Sequence, residues 1–373
     1  MESRLLWIVL AAQVVVVAAL LLVLPRIARR GLLFGVYVGE ARADGEEARS
    51  ITRGWYLGTM GALVVGILVG VAVAGAFPDA PVGPLASLFG VLTLVPFVYL
   101  RAHLRARAIG QADPVPESDA AVGPDVPADP AWPALAMAVG LIGGTLAIAY
   151  AALNYGHMPE RVPTHFGPSG RPDQWAPRSF WTVMLLPAGT LIMGVALGVV
   201  AYLTARAKRA VRASDGGVSM AAQLRFRAAM TRFLSGLGIL TTLLMMLLSV
   251  GAVRVSVGAA GALPNIVMWP ALGLLLVYSI GGSLYLMFRY GQGGARLERA
   301  AGQAPLTNGL ADNRRWVLGM FYVNRDDPAL LVEKRFGLGY TINFGNPAAV
   351  ALLVILVAAI AAFAVIGAFT SGS

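Results

Sequence analysis

Two histidines and two acids within one short stretch are the chain's best candidates for chemistry: His157, Glu160, His165 and Asp173, all lying between Tyr155 and Ser179. Imidazole nitrogens and carboxylate oxygens suit zinc, so the four could surround a metal. Their spacing follows no specific ligand rule, and a histidine bonded within its own loop is the simpler expectation. No metal or other cofactor is therefore expected. His165 and Asp173 could also form an acid–base pair, but no nucleophile accompanies them. The chain has no cysteine, which removes thiolate catalysis, disulfides and Cys-ligated metal centres. The expectation is a protein that is not an enzyme. The alternatives are a membrane enzyme using His165 and Asp173 on the outer side, and a transporter without ion coupling.

The elements that must position this loop follow from composition. Of 373 residues, 57% are hydrophobic and 13% charged, about half the charge of an ordinary soluble domain. Such a chain cannot cover a soluble fold, and the lipid bilayer is its expected partner. A helix crosses the hydrocarbon layer with about 20 apolar residues, because every amide must be satisfied within the segment. Eight stretches qualify: Leu5–Leu24, Trp55–Phe77, Leu85–Leu100, Ala134–Ala152, Phe180–Thr204, Phe233–Val253, Pro264–Phe288 and Pro347–Phe369. The third is the shortest and contains Pro96, so a tilted or re-entrant segment is an alternative there. The fold class expected is an all-α polytopic membrane protein of about eight transmembrane helices.

Loop charges then give an orientation. On this division 24 of the 29 basic residues fall on one side, and only Arg4, Arg161, Arg171, Arg178 and Arg254 on the other. Basic loops stay in the cytoplasm, which places both termini, and the loop 155–179, outside it. The net charge of +10 is thereby explained by topology, with no need for direct nucleic-acid binding. None of the eight apolar cores contains Asp, Glu, Lys, Arg or His, so the intramembrane carboxylate or histidine of an ion-coupled transporter is missing.

Along the chain, residues 1–110 form a three-span unit and 111–133 an acidic, proline-rich cytoplasmic linker expected to be disordered. Residues 134–288 carry the core spans, 289–346 a polar element before the last helix, and 347–373 the last span and outer terminus. Small residues recur at helix-packing spacing in Gly66…Gly70, Gly140…Gly144 and Gly194…Gly198. Ordinary intramolecular packing is expected of them.

The outer loop should have a defined shape. Pro159, Pro163, Pro168, Pro172 and Pro177 restrict its backbone and Gly170 supplies positive φ, while Tyr155, Phe166 and Trp175 offer surface to a lipid interface or a peptide. In the polar element, Trp316–Val323 is rich in β-formers and Asn324–Pro328 is a turn signal. Leu331–Val332 and Tyr340–Phe344 add further extended structure. A small β-hairpin element is expected, packed at the inner mouth of the bundle. A helix beginning at Pro328 is the alternative, with Asp327 as its cap.

Two runs of residues carry a resemblance. Met158-Pro159…Pro163-x-His165-Phe166…Gly170-x-Pro172-Asp173-x-Trp175…Ser179 resembles the SdpI-like immunity and signalling family, the domain of unknown function numbered 1648. The second run comprises Trp316, Phe321, Tyr322, Asn324, Asp326, Asp327, Arg335, Thr341 and Asn343 at their offsets. It is similar to a domain numbered 5808, often attached to the first. Gly167 and Arg178 stand where members often have Asn and Lys. The resemblance implies a bacterial plasma-membrane protein that protects its host from a secreted peptide toxin. It also implies an outer face that senses or neutralises the peptide and an inner face that binds a cytoplasmic regulator.

Overall fold

A computed structural model describes residues 14, 17–29, 31–77, 82–110, 129–207, 218–302 and 312–371. Its long elements are helices. In chain order they are α1 (Val17–Ile27), a hairpin of β1 (Leu32–Leu33) and β2 (Val36–Tyr37), the short α2 (Glu40–Ala43), α3 (Glu46–Ala76), α4 (Gly83–Ile109) and α5 (Ala131–Asn154). Then come the strands β3 (Arg161–Phe166) and β4 (Pro172–Pro177), followed by α6 (Phe180–Ala205), α7 (Val218–Ser256), α8 (Asn265–Arg289) and the short α9 (Ala295–Ala300). Strands β5 (Trp316–Val317), β6 (Phe321–Tyr322), β7 (Leu331–Glu333) and β8 (Tyr340–Ile342) precede α10 (Pro347–Ser371).

Six of the helices are long and apolar enough to cross a membrane among the described residues: α3 to α8. The protein is a multi-pass membrane protein. The expected count of eight is corrected to six among the described residues, where the apolar runs of the first and last predicted spans cover only Val17–Ile27 and Pro347–Ala359. Residues 5–13, 15 and 16 of the first predicted span, and 111–128 of the predicted linker, lie outside the described residues. The third predicted span is one continuous helix of 27 residues with Pro96 inside it, longer than its apolar stretch suggested. Large apolar side chains face outward along the bundle, Ile266 at 87% exposure and Val277 at 70% among them. That arrangement suits hydrocarbon as the surrounding solvent.

Glycine sets the helix contacts. A Cβ on Gly140 would lie 2.5 Å from the backbone of Gly194, and one on Gly144 would lie 2.3 Å from Leu191. The α5 and α6 backbones therefore touch. Gly194 also faces Thr242 of α7, and Gly198 faces Met137 of α5. In the N-terminal pair, Gly66 and Gly70 of α3 admit Val91 and Ser87 of α4. All three spaced-glycine motifs are thus used within the chain. Polar groups also meet between helices: the Thr190 and Ser249 hydroxyls lie 3.1 Å apart between α6 and α7.

Four two-stranded antiparallel sheets decorate the ends of this bundle. The β5–β6 and β7–β8 hairpins realise the extended element expected before the last helix. The alternative helix at Pro328 is not formed: the Asp327 carboxylate accepts from the Ala329 amide at 3.0 Å, as a cap would, but the chain continues into β7. A bridge between Tyr322 and Asn343 joins the two hairpins.

Candidate functional site

The loop between α5 and α6 is a β-hairpin, which its prolines had masked. The register pairs Arg161 with Pro177, Val162 with Ala176, Pro163 with Trp175, His165 with Gln174 and Phe166 with Pro172, with an irregularity around Thr164. Val162 and Ala176 point inward and are buried, and Val162 joins Met158 in a core with Ala151, Val183, Met184 and Val253. The tip is seated as well. Gly167 and Gly170 close the turn, with Gly170 at φ 74° as expected. The Gly170 carbonyl accepts from the Leu263 amide at 2.8 Å, and Asn265 donates to the Pro168 carbonyl at 3.3 Å. A Cβ on Gly170 would lie 2.6 Å from the Asn265 side chain, so the hairpin tip fits closely against the α7–α8 connection.

At its base, the Arg178 amide donates to the Glu160 carbonyl at 2.6 Å. The Arg178 guanidinium donates to the carbonyls of Tyr155 and Met158 and lies over the Tyr155 ring at 5.3 Å. Ser179 caps α6 by accepting from the Thr182 amide at 3.1 Å. The hairpin is consequently held at both ends and along one face, leaving the other free.

The exposed surface of the hairpin carries three of the predicted residues, His165, Asp173 and Trp175. His165 Nδ1 and Asp173 Oδ1 are 2.6 Å apart, with both side chains about half exposed. Trp175 is 45% exposed, and Phe180 and Trp181 are open just beyond the strand. Pro163 is buried, Phe166 and Pro172 partly so, and Pro159, His157 and Glu160 are exposed. The structure pairs His165 with Asp173 but gathers no group of three potential metal ligands among the described residues. No hydroxyl bonds to the His165 ring among them either. The arrangement can present a ring, an imidazole and a carboxylate to a ligand; it does not assemble an acyl-transfer triad.

The other end of the bundle holds a compact polar domain, here termed the clasp. It combines the β1–β2 hairpin, the end of α4, α9 and strands β5 to β8. Two tight turns meet tip to tip in it. Phe34 and Gly35 have φ of 44° and 79°, and Leu318 and Gly319 have 52° and 65°; positive φ at two successive turn positions is the mark of a type I′ hairpin. A Cβ on either glycine would lie 2.6 Å from the carbonyl oxygen of the other. The Tyr99 hydroxyl lies 3.1 Å from the Phe34 carbonyl and 2.9 Å from that of Leu318, so its one proton serves both turns. His103 Nδ1 also approaches the Phe34 carbonyl, at 2.9 Å. Phe34, Trp55, Tyr99 and Phe336 form an aromatic cluster beneath.

Two buried arginines lock the clasp. Arg29 donates to both oxygens of Glu333, at 2.8 and 3.0 Å, to Glu298 at 3.2 Å and to the Gly293 carbonyl at 3.1 Å. Burial opposes its charge, but the two carboxylates outweigh that and raise its pKa. Arg335 lies over Trp316 at 5.0 Å and donates to Asn313 at 2.7 Å and the Gly35 carbonyl at 3.2 Å. Burial pulls its pKa down to about 9, against weaker raising by the Asp312 charge. Asn313 in turn exchanges two hydrogen bonds with the Tyr37 backbone, both at 3.0 Å, as a strand would.

Most predicted inner-face residues turn out to be internal. Trp316, Tyr322, Asp327, Arg335 and Asn343 are buried, and Asn324 and Thr341 partly so; Phe321 and Asp326 are exposed. The Asn343 amide donates to the carbonyls of Asn324 and Asp327, both at 2.9 Å, while its oxygen accepts from the amides of Asn324 and Gly345. Tyr322 donates to Asp327 at 2.9 Å. Asp327 is thus a turn residue with a phenol partner. Sequence reasoning missed Arg29, Glu298, Gln292, Asn313, Tyr99 and His103. Their partners are 22 to 304 positions away, and no local pattern announces such contacts.

The hairpin and the clasp occupy opposite ends of α7. Val253 packs beneath the hairpin, whereas Phe226 and Met230 pack with Leu286, Leu338 and Tyr340 of the clasp side. From Phe226 to Val253 the helix rises about 40 Å, more than the hydrocarbon thickness of a bilayer. A family model described as a domain of unknown function (DUF1648) matches residues 142–191, the two helices and the hairpin between them. A second, described as a family of unknown function (DUF5808), matches residues 325–350 within the clasp and the start of α10. No curated protein and no solved structure matches the chain.

Proposed function

We propose that this protein is a non-enzymatic peptide-immunity and signalling protein of the bacterial plasma membrane, of SdpI-like type. The β3–β4 hairpin faces out of the cell and captures a secreted peptide, and the clasp faces the cytoplasm and answers to a regulator there. In this reading both termini lie outside the cytoplasm. The observation that carries it is the contrast within the hairpin. One face is pinned to α6, α7 and the Leu263–Asn265 segment, while the other leaves Trp175 and the His165–Asp173 pair open. A fixed backbone with exposed ring and charge binds a ligand at low entropic cost. Tryptophan at the centre of such a face is the usual anchor.

Transmission needs no moving wire. A peptide that binds one arrangement of α5, α6 and α7 better than another shifts the population between them, and the clasp at the far end of α7 reports it. The test is survival of cells exposed to a panel of secreted antimicrobial peptides, with and without the gene. The wild-type chain is expected to protect against at least one. Trp175→Ala and His165→Ala should lose most of that protection while keeping the thermal midpoint of the purified protein, since both side chains are exposed. Equal survival with and without the gene across the panel counts against immunity.

A further inference from the structure

The two hairpins that meet in the clasp differ in one respect. Leu32, Leu33, Phe34 and Val36 of the first are all buried. In the second, Trp316 and Tyr322 point inward, while Val317 (53% exposed), Leu318, Phe321 and Val323 lie open on the opposite face among the described residues. Phe321 meets the Phe344 ring edge-on at 5.5 Å, which extends the patch toward α10. A run of bare apolar side chains on a small domain marks an interaction surface.

The depth of that patch is fixed at both ends. Its turn is tied to the Tyr99 hydroxyl through the Leu318 carbonyl, and Tyr99 lies on α4 between Phe97 and Leu100, exposed residues of a membrane-crossing helix. At the other end the Phe344 amide donates to the Tyr322 carbonyl at 2.8 Å, and α10 begins at Pro347. The hairpin is therefore strung between two apolar helices at the level where they leave the bilayer. Exposed arginines lie on the elements that hold it: Arg314 and Arg325 flank the strands in sequence, and Arg101, Arg105 and Arg107 follow Tyr99 along α4.

We propose that β5–β6 is a membrane-docking wedge. Val317, Leu318, Phe321 and Val323 enter the acyl boundary of the leaflet on the clasp side, and the arginines hold its anionic headgroups. Burial of apolar surface drives insertion, and charge attraction that salt can screen selects the lipid. The wedge does not rest on the peptide reading of the outer hairpin, and the two fail separately.

The absence of cysteine makes the test clean. Phe321→Cys, with Val317→Cys as a second probe of the same face, is labelled with an environment-sensitive fluorophore. The full chain is then reconstituted into vesicles of equal parts phosphatidylcholine and phosphatidylglycerol. Both labels should shift to the blue, be quenched by nitroxide-bearing lipid and lose most of their quenching by aqueous iodide, relative to a label at Asp326→Cys. Protection should weaken in phosphatidylcholine alone. Iodide quenching at 321 and 317 equal to that at 326 overturns the wedge and leaves the face to a protein. Equal protection in both vesicle types overturns its choice of anionic lipid.

Discussion

Arg29 and Arg335 are both buried in the clasp, and their surroundings assign them different energetic roles. Arg29 neutralises two carboxylates, so replacing it leaves Glu298 buried without its guanidinium; Arg29→Met should cost about 3–5 kcal/mol. Arg335 makes no carboxylate ion pair among the described residues and feels only the more distant Asp312 charge, and Arg335→Met loses two hydrogen bonds while keeping contact with Trp316. It should cost distinctly less. Thermal or denaturant unfolding of the detergent-solubilised variants measures the order, and the reverse order would contradict the ion-cluster account. Tyr322 supplies a pH dependence. Burial raises its phenol above the ordinary value of 10; the hydrogen bond from Asn324 opposes that, and the charge and hydrogen bond of Asp327 add to it, with a small lowering from Arg315. A folded state that holds this proton longer than the unfolded chain keeps the full contribution below pH 10. It loses that contribution as pH climbs through the raised value. The thermal midpoint should therefore fall on the alkaline side, and Tyr322→Phe should flatten that limb while lowering stability at neutral pH.

The decisive contact between elements is the meeting of the β1–β2 and β5–β6 turns, where glycine backbones touch. Gly35→Ala or Gly319→Ala places a Cβ against the opposing carbonyl and demands positive φ of an alanine, a conformational cost of about 1–2 kcal/mol before any clash. Each should open the clasp, read as faster proteolysis between α9 and α10 with the helical circular dichroism retained. Protease resistance equal to wild type would show that the tips are not what joins the two parts. This contact also shows where sequence reading stops. The long helices were legible because hydrocarbon requires apolar runs of a given length, and the glycine spacing in α3, α5 and α6 was legible because backbones must approach. The β5–β6 strands were visible in Trp316–Val323. The β1–β2 hairpin was not, although Leu33-Phe-Gly-Val resembles Val317-Leu-Gly-Met, because a turn of two residues leaves no period to detect. At the outer loop, prolines signalled a fixed shape while hiding the strand pairing, since Pro163, Pro172 and Pro177 withdraw amides from the ladder. His165 and Asp173 could be suspected as a pair from sequence; that they stand on the open face of a hairpin could not.

At the scale of the whole molecule, α7 separates two unlike surfaces. One is a small hairpin with an open aromatic and charged face; the other is a basic, tightly bonded domain at the exit of α4 and the entry of α10. The immunity and signalling account requires a bilayer between them, with the hairpin outside and the clasp inside. A chain without native cysteine permits a direct check by single-cysteine labelling with a membrane-impermeant maleimide. Gln174→Cys, exposed on β4, should react in intact cells, and Asp326→Cys, exposed on the clasp, only after the membrane is permeabilised. Labelling of Asp326→Cys in intact cells, or protection of Gln174→Cys until lysis, would contradict the account.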